Sequence, residues 1–486
     1  MQKCNPIYFI IVIAIFVFHL NIDAKEFIIN KNSITSNSNP IERFWILYNL
    51  HNYAIKTNST IRYLNIDSLT IEIPEDAKSI PLNNGCDFHN LHLTVINKKK
   101  DFELFSLKSN TTPITLTCTQ IDHSDFTDIT SFNTGKKLLI IEDQSAWAKE
   151  RIGYGYPHYR KDILLINNGI SKDRPIQPYS DNYSHPKCQY INVSSMSVKI
   201  RDIEIIRSDD SSYKTICFSL DNQYKINLSN ISIITPESEL FGDEAIRIRN
   251  SYDISLSKIK INGTYSQKNK FGYGIGMDNV NHVIFSELKT ESKWGIFGNN
   301  NCQKIIIDKS EINRFDIHCY GKDVLIKNTL FKNYRNQFGS FYGKIEFHNC
   351  TFQDFTPISI RDSYMLNTKF DIYMFNCRLE WNKQNIEIIS VGESISNKNN
   401  RDYQQAVEWP NLFMKNNILI SHLPNNNSSL CIYVTTNKDK INLNKKPFYN
   451  IKDLRLYGFN KVTICNTLLD FDNSSNFNII SYQLMK

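Results

Sequence analysis

Short runs in which apolar and polar residues alternate follow one another along most of the chain. Early examples are residues 69–73 (LTIEI) and residues 91–95 (LHLTV), and a later one is residues 199–205 (KIRDIEI). A period of two residues is typical of β-strands, whereas the 3.6-residue period of amphipathic helices is scarce here. The pattern therefore predicts an all-β protein.

The strand-like runs recur as similar blocks. Residues 224–233 (YKINLSNISI) match residues 252–261 (YDISLSKIKI) almost position by position. Related blocks begin at His282, Lys304, Asp323, Lys344 and Asp371. The steps between blocks, roughly 19 to 29 residues, fall in the range of repeat architectures. Because one block cannot bury its own apolar side and stacked blocks can, the sequence predicts a solenoid in which each block is one coil.

An asparagine follows the predicted strand at the same place in four successive coils, namely Asn222, Asn250, Asn279 and Asn300. Asparagine tolerates the left-handed backbone that a sharp corner needs, and stacked amide side chains can hydrogen-bond to one another. We therefore expect these four residues to lie in one file along a corner of the solenoid.

The coil pattern and the asparagine corner together resemble the right-handed parallel β-helix of the pectate-lyase-like superfamily, which includes exported bacterial proteins that act on polysaccharides. The resemblance covers most of residues 190–390 and, more weakly, residues 60–145 and 410–475. It implies a right-handed parallel β-helix and a polysaccharide partner. The full catalytic signature of a single lyase or hydrolase family is not recognisable, so no catalytic residue is carried over.

The flanking segments complete the expected organisation. The expected segments are a signal peptide (1–24), an N-terminal β-rich cap with the first coils (25–145), a long aromatic and basic connection (146–190), the central parallel β-helix (191–390), a polar loop (391–410) and C-terminal coils (411–486).

Length and composition agree with this organisation. The chain has 486 residues and a mass of 56.7 kDa, more than one compact core holds but suitable for a stack that grows along one axis. Hydrophobic residues make up 41% and charged residues 22%, which excludes a disordered chain. The net charge of +7 is not gathered into Lys/Arg runs, so nucleic acid is not an expected partner and an anionic partner is permitted.

The first residues predict export. Residues 7–18 (IYFIIVIAIFVF) form an apolar run behind Lys3, and Ala24 offers a small residue before Lys25. This arrangement is typical of a secretory signal peptide, and the run is shorter than the about 20 residues that span a membrane. We expect a secreted or periplasmic protein with no membrane contact after signal removal.

Alignment of the coils predicts one outward face beside the asparagine corner. Its first column is Ser219, Arg247, Gly276, Phe297, His318, Ser340 and Ser359. Its second column is Asp221, Arg249, Asp278, Asn299, Tyr320, Tyr342 and Arg361. Just upstream lie Asp243, Lys293, Trp294, Arg314 and Asp316. The concentration of Arg, Asp, His and Tyr indicates binding or catalysis; the alternative is a ladder of Asp–Arg pairs that holds coils together.

Two reaction types fit these residues. In β-elimination on a uronic-acid polymer, Arg247 and Arg249 would neutralise the substrate carboxylate, His318 would act as base and Tyr320 as acid. In glycoside hydrolysis, Asp278 and Asp316 would form the carboxyl pair. Asp243 is a third option for that pair. The basic excess of the face favours an anionic polysaccharide and therefore the lyase.

The remaining face residues are expected to bind substrate, and they are Arg247, Arg249, Lys293, Trp294, Asn299, Arg314, Tyr342 and Arg361. No cofactor is required, although calcium is permitted because lyases of the resembled fold often use it. Zinc is not expected, since neither a CxxC nor an HExxH pattern occurs. A non-catalytic carbohydrate-binding or adhesin β-helix remains the alternative from another class.

Overall fold

A computed structural model describes the chain over residues 26–34, 38–109, 111–116, 135–148, 158–171, 173–176, 187–193, 196–235, 244–262, 266–267, 270–271, 273–290, 295–332, 335–339, 341–360, 369–391, 410–424, 428–435, 449–465, 477–479 and 482–485. The predicted signal peptide and residues 392–409 of the predicted polar loop lie outside these residues.

The described residues form a parallel β-solenoid, as the repeat predicts. A 31-stranded sheet with parallel pairing winds through the chain, beside a five-stranded antiparallel sheet and a two-stranded one. The alternating pattern accounts for the core inside the coil, because every second side chain of a strand points inward.

The N-terminal part contains six strands and two helices. Their bounds are β1 Glu26–Asn30, a 3-10 helix Lys31–Ser33, α1 Pro40–Lys56, β2 Thr60–Leu64, β3 Ser68–Ile73, β4 Ile80–Pro81, β5 Cys86–Asn97 and β6 Phe102–Lys108. The five-stranded sheet follows as β7 Ile114–Leu116, β8 Lys136–Ala148, β9 His158–Asn167, β10 Ile170–Ser171 and β11 Lys187–Asn192.

The solenoid then continues to the C-terminus. Its strands are β12 Val198–Arg207, β13 Thr215–Asp221, β14 Tyr224–Ile234, β15 Ile246–Asn262, β18 Tyr273–Ser286, β19 Lys289–Thr290, β20 Gly295–Asp308, β21 Glu311–Ile312, β22 Asp316–Lys327, β23 Leu330–Lys332, β24 Arg335–Phe338, β25 Phe341–His348, β26 Thr351–Gln353, β27 Thr356–Ile360, β28 Lys369–Phe375, β29 Arg378–Trp381, β30 Asn385–Val391, β31 Asn411–Lys415, β32 Ile418–Ser421, β33 Ser428–Thr435, β34 Tyr449–Lys452, β35 Leu454–Tyr457, β36 Phe459–Cys465, β37 Phe477–Ile479 and β38 Tyr482–Met485. The hairpin β16 Ser266–Gln267 and β17 Lys270–Phe271 forms the two-stranded sheet.

The asparagine corner divides each central coil into two faces. Face 1 comprises β13, β24, β27 and the first parts of β15, β18, β20 and β22. Face 2 comprises β14, β25, β28 and the parts of the same long strands that follow the corner. The short strands β19, β21, β23, β26 and β29 close the third side. A continuous core of Ile, Leu, Val and Phe fills the interior. Each fully buried side chain of this kind contributes roughly 1.5–3 kcal/mol.

The corner itself is confirmed with one correction. Asn222, Asn250 and Asn279 have φ values of 58°, 45° and 57°, and Nδ2 of Asn279 donates to Oδ1 of Asn250 at 3.0 Å. The fourth member is Asn301 (φ 52°), not Asn300, and Tyr320 (φ 61°) takes the next position. The register explains this, because Asp278 pairs with Asn300 and Val280 with Cys302, which leaves Asn301 opposite Asn279.

The antiparallel sheet of β7–β11, here called the insert, packs against face 2 beside the corner. Its side toward the solenoid carries Leu138, Ile140, Ile163 and Leu165, which share a cluster with Tyr252. Asp173 also attaches the insert to the solenoid. Its side chain is only 2% exposed and accepts hydrogen bonds from Tyr252, His282 and Lys304 of three successive coils. Burial would raise the pKa of Asp173, but these three donors hold that pKa well below its ordinary value.

The helix α1 was not foreseen by the strand pattern, and it lies within the β-rich cap. Asn39 and Glu42 form a capping box, and Pro40 occupies the first turn, which together fix the start of the helix. His51 is fully buried, with Nε2 2.7 Å from the Tyr63 hydroxyl and Nδ1 3.2 Å from the Pro81 carbonyl. Burial lowers the pKa of His51 to about 4, so the ring is neutral. Within the described residues, no helix combines the length and apolar character needed to cross a bilayer.

Candidate functional site on face 1

Face 1 presents two outward columns whose first members are those expected from the sequence. Ser219, Arg247 and Gly276 pair in register, as do Asp221, Arg249 and Asp278. The columns extend one coil toward the N-terminus, where Ser106 pairs with Ser219 and Lys108 with Asp221.

Beyond Asp278 the expected columns are shifted by one residue. Gly298 stands opposite Gly276, and Asn300 stands opposite Asp278. The predicted member Asn299 pairs instead with Met277, whose column is a buried one. The shift has the same cause as the corner correction, because the corner falls at Asn301.

A guanidinium joins two glutamates at the N-terminal end of these columns. Nη1 of Arg247 lies 3.4 Å from Oε1 of Glu103, and Nε of Arg247 is bonded to Oε2 of Glu244. The three side chains are 18% to 31% exposed, so the group borders solvent. Ser219 belongs to β13, the strand between those of Glu103 and Arg247, so the ion pair spans one intervening coil. The two carboxyl groups therefore share one cation at the surface of face 1.

Gly276 lies directly beneath the carboxylate of Glu244. A Cβ added at Gly276 would lie 2.2 Å from Oε1 of Glu244, so the carboxylate of Glu244 rests directly on the glycine backbone. An alanine would have to displace this carboxylate. The absence of a side chain at Gly276 thus helps to fix where Glu244 lies.

Asp221 has a perturbed acidity next to this group. Burial raises the pKa of Asp221, and the neighbouring charge of Glu103 raises it further, whereas Arg249 and Lys108 oppose the shift. Nδ2 of Asn250 donates to Oδ1 of Asp221 at 3.5 Å. A carboxyl group with a raised pKa beside other carboxylates is an arrangement that favours proton donation.

Asp278 contacts the insert. Oδ2 of Asp278 lies 3.2 Å from Nζ of Lys161 on β9, and Oδ1 accepts from Nδ2 of Asn301 at 2.9 Å. Oδ1 of Asn301 in turn accepts the backbone N–H of Lys161 at 3.1 Å. Asp278, a predicted catalytic residue, therefore takes part in a closed ring of contacts with Asn301 and Lys161.

Tyr320 and Tyr342 are not on the outer surface, contrary to expectation. Tyr320 is 1% exposed and Tyr342 is 6% exposed, and their rings contact each other edge-to-face at 6.0 Å. The Tyr320 hydroxyl donates to Oδ2 of Asp162 at 3.3 Å, and the Arg160 guanidinium lies over its ring at 5.0 Å. The insert covers Tyr320 because the residue occupies the corner rather than the outer face of a strand.

Arg314 and Asp316 are also buried rather than outward. Nε of Arg314 is 2.7 Å from Oδ2 of Asp316, and the two side chains are 1% and 0% exposed. Tyr273 donates to the same oxygen at 2.9 Å, and the backbone N–H of Gln337 donates to Oδ1 at 3.1 Å. Arg314 and Asp316 therefore belong to an internal network between coils, and the expectation that they lie on the surface was wrong.

Several predicted residues lie where the structure does not describe their side chains. His318 and Asn299 are within described strands, but their side chains are outside the description. Lys293, Trp294, Arg361 and Asp243 lie outside the described residues altogether. Their proposed roles in catalysis and binding stay predictions.

The described residues do not offer a ready metal centre. No group of three or more His, Cys, Asp or Glu among them is arranged to hold an ion. The carboxylates of face 1 are instead bonded to cationic side chains, as shown by Glu103 and Glu244 with Arg247. Calcium stays an expectation from the resemblance, and no step is assigned to it.

Glu103 and Lys161 belong to this surface but were not predicted from the sequence. Glu103 is 144 positions from Arg247, and Lys161 is 117 positions from Asp278. The repeat could have revealed Glu103, since β6 belongs to the coil directly before β13, but the insert interrupts the pattern there. Lys161 carries no periodic signal, because it belongs to the insert.

Comparison with known proteins establishes the fold alone. No protein family description and no curated protein matches the sequence. The tailspike protein gp49 from Pseudomonas phage LKA1 is similar over 87% of this chain and 72% of its own, with 11% identity and a TM-score of 0.50. The Gp54 tailspike of Acinetobacter baumannii bacteriophage AP22 was solved in complex with A. baumannii capsular saccharide. It is similar over 87% of this chain and 73% of its own, with 9% identity and a TM-score of 0.48. The chain has the right-handed parallel β-helix fold that the sequence resemblance implied.

Proposed function

We propose that this protein is exported, binds a polysaccharide along face 1 and hydrolyses a glycosidic bond beside Glu103, Arg247 and Glu244. The observation that carries the proposal is the pair of glutamates held by one guanidinium at the border of solvent. Export rests on the apolar run at residues 7–18, and the polysaccharide rests on the fold and on the polar columns of face 1.

The geometry supplies the carboxyl groups that hydrolysis needs. Glycosidases use two carboxyl groups about 5 Å apart for retention, or roughly 6.5–9.5 Å apart for inversion. Glu103 and Glu244 both contact the guanidinium of Arg247, which limits the separation of their carboxyl groups to less than about 9 Å. The register places Asp221 one coil from Arg247 and two residues along the strand, and the charge of Glu103 acts on it, so a third carboxyl group belongs to the same part of face 1.

The roles follow from the surroundings of each group. Asp221, with its raised pKa, serves as the acid that protonates the leaving oxygen. Glu244, the more exposed of the two glutamates, serves as the base or nucleophile, and Gly276 leaves it room. Arg247 holds both glutamates in place through its ion pairs with them.

Hydrolysis is preferred to β-elimination on one observation. The lyase interpretation uses Tyr320 as acid, and the Tyr320 hydroxyl is buried and donates to Asp162. A phenol in that position could contact the leaving oxygen of a substrate only if the insert moved. Asp278 and Asp316 are weaker candidates for the hydrolase pair, since Asp316 is fully buried against Arg314.

Incubation with a panel of neutral and acidic polysaccharides tests the proposal. Reducing ends should appear without the absorbance of unsaturated uronides, whereas a lyase would produce both. Asp221→Asn and Glu244→Gln should each lower turnover by a factor of roughly 10² to 10⁴ on the cleaved polymer. Glu311→Gln, which changes a carboxylate on the third side of the solenoid, is the control. Unsaturated products, or full turnover in both variants, would overturn the hydrolase assignment.

A further inference from the structure

The insert contributes one cation to the edge of face 1. Lys161 belongs to β9, yet its Nζ lies 3.2 Å from Asp278, which stands in the second column of face 1. Both side chains are partly exposed, Lys161 at 27% and Asp278 at 33%. A residue of the insert and a residue of the solenoid therefore border solvent together.

Contacts of its backbone, of its side chain and of the next residue on β9 hold Lys161 in position. Its backbone N–H donates to Asn301, the corner residue, and Asn301 donates to Asp278. The next residue of β9, Asp162, accepts from the buried Tyr320 and lies 3.6 Å from Arg160. The ammonium group thus sits on a rigid strand rather than on a loop, which suits recognition more than a freely moving lysine would.

Two cations belong to the surroundings of Asp278. Lys161 of the insert forms an ion pair with it, and Arg249, an exposed residue of the preceding coil, is its partner in the backbone register and so lies on the same face. The Asp278 carboxylate is therefore bonded to Lys161 where an anionic group of a ligand would bind, with Arg249 one coil away on the same face. A ligand carboxylate with similar charge and geometry can compete for Lys161.

We propose that Lys161 is a specificity-determining residue, which, with Arg249, recognises a carboxylate of an acidic polysaccharide bound along face 1, and that Asp278 is the ion-pair partner of Lys161 that the ligand carboxylate displaces. The inference rests on the proposed function and names the substrate class of the same site. In this proposal the insert determines the preference for an acidic polymer, and residues of the solenoid cleave the glycosidic bond.

Affinity electrophoresis of the full chain in gels that contain polygalacturonate, alginate or hyaluronan, or the carboxyl-reduced derivative of each, tests the inference. The parent protein should be retarded by at least one acidic polymer and less by its reduced derivative. Lys161→Met should weaken binding to the acidic polymer roughly fivefold and leave the reduced polymer unaffected. Asp278→Asn should strengthen acidic binding, because it removes the competing carboxylate. Lys187→Met changes an exposed lysine at the start of β11 and is the matched control.

Salt adds a second readout. Retardation of the parent protein by the acidic polymer should fall as NaCl rises, and the dependence should be shallower for Lys161→Met because one charge pair is missing. Thermal unfolding of each variant establishes that the fold is retained, and Lys161→Arg should restore most of the binding.

Each outcome decides the question. Equal effects of Lys161→Met and Lys187→Met, or equal retardation of the parent by acidic and reduced polymers, would overturn the assignment of Lys161. Cleavage of neutral polymers alone would overturn this inference and leave the proposed hydrolase intact. Neither binding nor cleavage of any polymer, acidic or neutral, would overturn both.

Discussion

The hydroxyl of Tyr320 donates a hydrogen bond to Oδ2 of Asp162, with 3.3 Å between the oxygens, and so joins the corner of the solenoid to the insert. The same aspartate accepts the backbone N–H of Ile176 at 2.8 Å. A residue expected at the sugar-binding surface is thus part of the attachment between two sheets.

Replacement of Tyr320 by phenylalanine should therefore affect stability and not chemistry. Loss of a buried hydrogen bond to a charged acceptor costs about 1.5–3 kcal/mol, and urea unfolding should show a decrease of that size. Turnover on the cleaved polysaccharide should stay within about twofold of the parent, because the residue acts as no acid in hydrolysis. Tyr213→Phe, at an exposed tyrosine, is the control. A large loss of turnover at unchanged stability would return Tyr320 to the catalytic role that the lyase interpretation gives it.

Neighbouring asparagines should differ in their effect on folding. Asn301→Ala removes an amide bonded to Asp278 and Lys161 and places alanine at a φ of 52°, which together should cost roughly 2–4 kcal/mol. Asn300→Ala changes a partly exposed residue within a strand and should cost less than about 1 kcal/mol. The difference is measured by chemical unfolding of both variants. Equal costs, or a larger cost at Asn300, would contradict the corner assigned to Asn301.

This pair also shows where prediction from sequence succeeds and where it stops. Strict two-residue alternation and near-identical blocks determine a stacked coil, because only one register buries the apolar set. The segment 299–301 offers three successive asparagines, each able to adopt the corner conformation, so local preference could not choose among them. The choice depends on pairing with the preceding coil, and an error of one residue exchanges the inner and outer side chains that follow.

Burial of a side chain by a segment far away in the sequence is the second feature that could not be predicted. Arg314 and Asp316 lie two residues apart, just before and at the start of β22, and their side chains are bonded to each other, but the alternation contains no information on what packs against them. Tyr273 and Gln337 from neighbouring coils surround the pair. In the same way the cover over Tyr320 comes from a segment 158 positions away, which has no repeat to align.

A methyl group at Gly276 should impair catalysis through Glu244. The new Cβ would lie 2.2 Å from Oε1, so Gly276→Ala must displace the carboxylate, and a shift of about 1 Å can cost on the order of 10² in rate. The double variant Gly276→Ala/Glu244→Gln should be no slower than Glu244→Gln alone, since both changes act on one group. Turnover of the three variants on one polymer gives the comparison. Additive losses would mean that Gly276 acts on some other group.

Acid should destabilise the cap through His51. The folded ring stays neutral down to a pKa of about 4, whereas the unfolded chain binds a proton below about pH 6.5. Stability from this group is therefore present above pH 6.5 and is lost as the pH falls toward 4, by a total of roughly 3 kcal/mol.

His51→Gln keeps a donor for the Pro81 carbonyl and an acceptor for Tyr63 but cannot titrate. The difference in unfolding free energy between pH 7.5 and pH 4.5 should shrink in this variant relative to the parent. An identical pH dependence in both proteins would show that His51 does not carry the effect.

The insert enters the chain between β6 and β12, yet the stack on either side is unbroken. Residues of β5 pair with β12 and residues of β6 pair with β13 in parallel register, as though residues 109–197 were a tight turn. The entropy needed to close a loop grows only with the logarithm of its length, so such an interruption burdens the fold little. The same stack of coils could therefore accommodate a different insert at this position. A lineage that replaced it would acquire a different cation at the edge of face 1 without altering a single inward residue of the coils.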